Sequence, residues 1–134
     1  MIRTLSAAAL AVALSLPLSV APAAAQGATV PANKTTEVGF LWAVDLRNCG
    51  NVARPKVRIR QPENGKITTK WLTRTISGAR GRAKRCNGRA GKGTAVYYTP
   101  NRGYRGPDSF SISTTNRLDG RQRTRTESGR VVVR

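Results

Sequence analysis

Apolar residues spaced one position apart constrain this chain more than any other feature. Val38, Phe40, Trp42 and Val44 alternate with Gly39, Leu41 and Ala43, and Val57 and Ile59 alternate with Lys56, Arg58 and Arg60. A repeat of two is the repeat of a β-strand, whose successive side chains point to opposite faces. The first run suits a strand buried on one face and partly on the other; the second suits a half-buried strand with a charged outer face. Ile67, Thr69 and Trp71 keep the same period, and further strands are expected over 95–99, 109–115, 121–126 and 131–133. Asn64-Gly65 and Asp119-Gly120 read as two-residue hairpin turns, because both central positions of the favoured turn need positive φ. No window past residue 25 sustains a helical apolar period. Short strands punctuated by turns predict an all-β sandwich.

The first 25 residues stand apart. Arg3 precedes an uncharged run of Ala, Leu, Val and Ser over 5–20, and Ala23-Ala24-Ala25 supplies the small residues that a signal peptidase requires. The run is shorter than the ~20 residues of a membrane span and is broken by Pro17. The expected organisation is a signal peptide over 1–25, a flexible lead-in over 26–36 and one folded domain over 37–134. Export would leave a periplasmic or secreted monomer with no transmembrane segment. Of the 109 residues that remain, 34 are apolar. That is a thin core, and a covalent staple would help it. Cys49 and Cys86 can supply one: exported proteins keep disulfides, no C-x-x-C redox spacing is present, and closing a loop of this length is worth about 4 kcal/mol.

Charge narrows the chemistry. The chain carries 24 Lys+Arg against 6 Asp+Glu, a formal +18, and has no His. Without His there is no imidazole acid–base pair, no catalytic triad and no imidazole metal ligand. Six scattered carboxylates form no paired-acid centre and no calcium cage. Two Cys are too few for a zinc site. No catalytic residue, metal or cofactor is expected, and the chain does not read as an enzyme. Several short patterns also fail on context. Gly88-Arg89-Ala90-Gly91-Lys92-Gly93-Thr94 imitates a phosphate loop, but Lys92 is followed by Gly93 and no helix-forming segment comes next. Gly78-Ala79-Arg80-Gly81 has the spacing of an RNA-binding G-x-x-G loop without its flanking helices.

At Tyr98-Thr99-Pro100-Asn101-Arg102-Gly103-Tyr104-Arg105-Gly106-Pro107-Asp108-Ser109-Phe110 the chain resembles the Y-x-P-x-x-G-[FY]-x-G-x-D-x-F signature of bacterial immunoglobulin-like, cadherin-like domains. Gln61-Pro62-Glu63-Asn64-Gly65-Lys66-Ile67 upstream is similar to their P-x-x-G-x-[VI] hairpin. Asp119-Gly120 and Val131-Val132-Val133 downstream stand where their last hairpin and final strand would be. The resemblance covers about residues 52–134 and implies an immunoglobulin-like sandwich of about seven strands. Within it Pro100 would end a strand, Gly103 and Gly106 would permit turns, Tyr104 would pack over the corner, and Phe110 and Ile112 would enter the core. Asp108 in such a loop is expected to bind backbone amides rather than do chemistry. Tyr98 heads the motif as a structural residue. The chain holds a single copy and too few acids for interdomain calcium, so repeat-array adhesion and calcium binding do not carry over.

Function is then a matter of cations. Eighteen of the 24 are Arg, which forks two hydrogen bonds to phosphate or carboxylate. They form three groups: Arg54, Lys56, Arg58 and Arg60; Arg80, Arg82, Lys84, Arg85 and Arg89 in a Gly-rich loop beside Cys86; and Arg121, Arg123 and Arg125. The loop group, expected to be mobile through its glycines and tethered by Cys86, is the leading candidate for anion binding. The partner class expected first is an anionic cell-envelope polymer. An acidic protein comes second, and extracellular nucleic acid third because its grooves usually add stacking aromatics.

Overall fold

A computed structural model describes residues 27–118 and 120–134; the expected signal peptide, Gln26 of the expected lead-in and Asp119 lie outside the described residues. In chain order the strands are β1 (Ala28–Val30), β2 (Thr36–Trp42), β3 (Val44–Asp45), β4 (Gly50–Asn51), β5 (Lys56–Arg60), β6 (Gly65–Thr75), β7 (Ala90–Pro100), β8 (Gly106–Leu118) and β9 (Arg121–Val133). They form a four-stranded sheet in the order β1-β9-β8-β5, a three-stranded sheet in the order β2-β7-β6, and a short β3-β4 ribbon. The molecule is all-β, as the alternation predicts. Its helical content among the described residues is one 3₁₀ segment, Gly81–Cys86.

Between the two sheets lies a compact core of Val30, Ile67, Val96, Tyr98, Ile112, Val131 and Val133, with Val38, Leu41, Val57, Ile59, Tyr104 and Phe110 packed around it. Val30 is fully buried and β1 runs parallel to the end of β9, Ala28 beside Val131 and Val30 beside Val133. The flexible lead-in expected over 26–36 is therefore corrected: three of its residues are a core strand, because Val30 fills space that the thin core cannot leave empty.

Two further expectations change. In β2 the apolar set was expected inward at Val38, Phe40 and Trp42. A bulge between Glu37 and Gly39 shifts the register by one, and a one-residue shift sends every later side chain to the other face. Leu41 and Ala43 point inward instead. Phe40 and Trp42 lie outside, where Gly93 and Gly91 leave room for their rings. The second change is at Asn64-Gly65, which is not a hairpin turn. β5 pairs with β8 while β6 pairs with β7, so 61–64 crosses from one sheet to the other. Gly65 is there because the Tyr98 ring occupies the space a side chain would need. Gln61 holds the crossing by accepting from Ile67 N–H at 2.7 Å and donating to Ile67 O at 3.1 Å.

The 98–110 motif does structural work throughout. Pro100 ends β7, and Gly103 and Gly106 take φ of 78° and 130°. The Tyr104 hydroxyl donates to Pro107 O. Asp108 accepts from Glu63 N–H at 3.2 Å, Asn64 N–H at 3.0 Å, Ser109 N–H at 2.9 Å and the buried Tyr98 hydroxyl at 2.9 Å. At the other end, Cys49 and Cys86 are bonded, with Cα atoms 5.3 Å apart, and pack on Ile76, Val44 and Ala79 as a second small cluster.

Three outcomes follow from these two ends. Replacing Cys49 and Cys86 by Ser should lower stability by about 2–5 kcal/mol in urea unfolding, and thiol titration of the unfolded, unreduced protein should read zero. Asp108→Ala strands three amides and a phenol and should cost at least about 3 kcal/mol, whereas Tyr98→Phe should cost about 1.5–3. Burial first, and then the Asp108 carboxylate, raise the Tyr98 phenol well above its ordinary value of about 10. The unfolded phenol then loses its proton first, so this stability is whole below about pH 10 and declines as pH rises further. Urea midpoints measured across that range should fall more steeply in the parent than in Tyr98→Phe.

Candidate functional site

The three cationic groups occupy three different surfaces. β5 alternates, so Val57 and Ile59 enter the core and Lys56, Arg58 and Arg60 stand on the outer face of the four-stranded sheet. Register places each beside hydroxyls from the next two strands. Lys56 pairs with Thr115 and Thr115 with Thr124; Arg58 with Ser113 and Ser113 with Thr126; Arg60 with Ser111 and Ser111 with Ser128. The result is three parallel rungs of one cation and two hydroxyls, about 7 Å apart along the strands. Ser113 and Thr126 hydroxyls are hydrogen-bonded at 2.8 Å, and Thr115 and Thr124 at 2.9 Å, which fixes the rows. Arg117 and Gln122 pair beyond the last rung.

The Arg60 rung borders a second opening that Glu63 and Asp108 also line. Over the Lys56 and Arg58 rungs lies an open groove of about 740 Å³, lined among others by Arg54, Lys56, Arg58, Arg117, Ser113 and Thr124. No acid contributes to its lining. Four of the chain's acids are engaged elsewhere: Glu37 with Arg74, Asp45 with Arg47, Glu127 with Arg125, and Asp108 in the buried cluster. Lys56, Arg58, Arg60 and Arg117 form no ion pair among the described residues. Arg54 is turned over the Trp71 ring, 5.8 Å from its centre, which ties the rim of the groove to β6.

The 80–89 group is differently used. Arg80, Arg82, Lys84, Arg85 and Arg89 are all exposed, but the loop is not the loose tether expected from its glycines. Gly78, Gly81 and Gly88 take positive φ and set turns. Asn87 brackets Ala79 through both its N–H and its C=O. Arg85 is spent on structure: its guanidinium donates to Leu46 O at 2.7 Å and Arg47 O at 2.6 Å, clamping the loop to the ribbon beside the disulfide. Gly91 and Gly93 belong to β7 and seat aromatic rings, so the apparent phosphate loop is half strand.

Arg121, Arg123 and Arg125 share a face, as their spacing predicts, but it is the face opposite Lys56 and Arg58. They stand in line with Gly129, Val131 and Val133, whose partners in β8 include Phe110 and Asp108. β8 and β9 therefore run on past the core as a two-stranded arm whose inner face is cationic. There Arg123 and Asn116 meet Trp42, Leu46 and Arg47 around a smaller groove of about 340 Å³. The Asn116 Oδ1 atom is buried without a hydrogen-bond partner among the described residues.

Aromatic side chains outside the core offer little for stacking. Arg74 lies 4.6 Å over Phe40 while forking two 2.6 Å hydrogen bonds to Glu37, and Lys70 lies 5.5 Å over Tyr97. That fork holds the Glu37 carboxyl below its ordinary range. The sequence named the three cationic groups; it missed the hydroxyl rows at Ser111, Ser113, Thr115, Thr124, Thr126 and Ser128, whose alternation with Ile112 and Thr114 was the available signal. No cluster of three or more metal-ligating side chains occurs among the described residues, and none of their helices is long and apolar enough to cross a membrane. Neither a family model, nor a curated protein, nor a solved structure matches this chain.

Proposed function

We propose that this chain is an exported, strongly basic binding module for anionic polymers of the cell envelope, and that the outer face of the four-stranded sheet receives the polymer. The observation that carries the reading is the set of three cation–hydroxyl–hydroxyl rungs, of which the Lys56 and Arg58 rungs lie under an acid-free groove. Arg and Lys supply charge to phosphate or carboxylate, and the hydroxyl rows can donate to and accept from sugar hydroxyls between them. An open, shallow groove with evenly repeated rungs suits an extended chain better than a small molecule, which needs enclosure. The face presents no aromatic ring, so it lacks the platforms that single-stranded nucleic acid stacks on. The immunoglobulin-like reading belongs to the same proposal and is supported by the seven long and short strands divided four and three between two facing sheets. The disulfide is in keeping with an oxidising compartment.

The 80–89 loop is the auxiliary contact in this proposal, with Arg80, Arg82, Lys84 and Arg89 available and Arg85 held by carbonyls. Two variants with equal charge removal separate the surfaces. One changes Lys56, Arg58, Arg60 and Arg117 to Gln; the other changes Arg80, Arg82, Lys84 and Arg89 to Gln. Binding to polygalacturonate and to polyphosphate is measured against salt by fluorescence anisotropy. Counterion release makes log K fall linearly with log salt, and losing four contacts should reduce the slope by about 3. The first variant should show that loss and the second a smaller one. Equal slopes for the two variants would mean a diffuse cation with no site.

A further inference from the structure

The open side of β9 is the strongest unassigned feature. β1 covers β9 only over Val131–Val133, yet β9 begins at Arg121. From Arg121 to about Gly129 the side of β9 away from β8 has no neighbouring strand among the described residues. The chain's end reveals which backbone groups face that side. Arg134 N–H donates to Val30 O at 3.0 Å, and Arg134 O accepts from Ala32 N–H at 2.9 Å. Backbone direction along a strand alternates with a period of two. The N–H and C=O groups of Gln122, Thr124, Thr126 and Ser128 therefore point out along the open edge. Arg121, Arg123 and Arg125 turn their backbone groups to β8 instead and line up on one face.

We propose that this edge receives an extended acidic segment of a partner protein as an added antiparallel strand, its carboxylates at alternate positions opposite Arg121, Arg123 and Arg125. Those three positions are the non-hydrogen-bonded sites of the new pair. There facing Cα atoms come to about 4.5 Å, against about 5.5 Å at the bonded sites, so opposite charges meet where the strands are closest. Main-chain hydrogen bonds at Gln122, Thr124, Thr126 and Ser128 supply sequence-independent affinity, and the Arg row supplies selection. Arg125 already pairs with Glu127 at 2.9 Å, but both side chains are exposed, at 81% and 44%, so this contact is a weak competitor.

A second copy of the chain fits the edge less well. Pairing two edges about Thr124 sets Arg123 opposite Arg125 twice, which two Arg121–Glu127 pairs only offset, between molecules that each carry +18. Charged edge residues ordinarily guard a sheet against pairing. Here the guard is three arginines against the single Glu127, so its excess of positive charge admits an acidic strand. Its arginines stand on the face of the sheet opposite the polymer groove, while Gln122 and Thr124 give backbone groups to the edge and side chains to the groove.

The probe is a synthetic peptide, Thr-Glu-Val-Glu-Thr-Glu-Val-Glu-Thr, compared with a peptide of the same composition whose four Glu are contiguous. Each is titrated into the full mature chain at about 0.15 M salt, where exposed charges are screened beyond roughly 8 Å. The alternating peptide should bind about tenfold tighter, and N-methylation of its Val and central Thr amides should abolish that advantage. Ser128→Pro removes an outward N–H without touching the β8 ladder and should weaken binding similarly. Should that variant not fold, the methylated peptide on the unaltered protein decides the matter alone. Reversing Arg121, Arg123 and Arg125 to Glu should transfer the preference to the Lys version of the peptide. Equal affinity of the alternating and contiguous peptides, or indifference to N-methylation, overturns the proposal. Self-association without peptide that Ser128→Pro abolishes would assign the edge to a second copy and overturn it equally.

Discussion

The fold depends on one carboxylate. Asp108 sits on β8 in the four-stranded sheet, Tyr98 on β7 in the three-stranded sheet, and Glu63 and Asn64 on the connection that crosses between them. A single side chain thus binds both layers and the link that joins them. The crossing could have left two part-buried amides without partners, each costing up to about 1–3 kcal/mol; the carboxylate takes them both. Asn64 O in turn accepts from Asn101 N–H at 2.8 Å, which brings the start of the 101–105 turn onto the same point. Gly65 completes the arrangement by leaving room for the Tyr98 ring. The carboxylate and the crossing amides it holds lie 45 and 44 positions apart in sequence.

The opposite end is held by a different means because it has no such core. Cys49, Ile76 and Cys86 with their neighbours make a cluster too small to order two loops unaided. The disulfide, the Arg85 clamp and the Asn87–Ala79 bracket act together there. Beyond both clusters the inner face of β9 turns from Val131 and Val133 to Arg125, Arg123 and Arg121. A thin core cannot cover thirteen-residue strands along their whole length, so the excess runs into solvent and its inner positions become charged. Charge and core size are one constraint. Few apolar residues set the length that can be buried, and the remainder carries arginine on its inner face.

How much of this was legible depends on range. The alternation at Val57 and Ile59 found β5 and its outer cations, because a local period decides which side chain faces out. The pair of Cys49 and Cys86 and the amide-binding role of Asp108 were legible from residue type and context. The face of β2 was not: a bulge leaves no mark in hydropathy, and Gly91 and Gly93, which receive Phe40 and Trp42, lie about 50 residues away. Asn64-Gly65 misled for the same reason. Its glycine answers to the Tyr98 ring rather than to its own φ, and no local reading weighs that. The three cationic groups were visible in the sequence; their placement on three surfaces follows from strand pairing over long separations.

That separation decides what the charges can do. Arginines reaching out from opposite faces of one sheet end on the order of 10 Å or more apart, which exceeds the screening length of about 8 Å at physiological salt. Neutralising Lys56, Arg58 and Arg60 then leaves the field at Arg121, Arg123 and Arg125 largely intact, and the two proposed surfaces would act separately. At about 0.01 M salt the screening length grows to about 30 Å, and both faces merge into one cationic field that attracts any polyanion by charge alone. Geometry governs only when the ions are dense enough to isolate one face from the other. On the proposed reading, selective binding is therefore expected at physiological ionic strength and not in dilute buffer, and the hydroxyl rows and strand edge would matter in proportion to how strongly salt has removed the background.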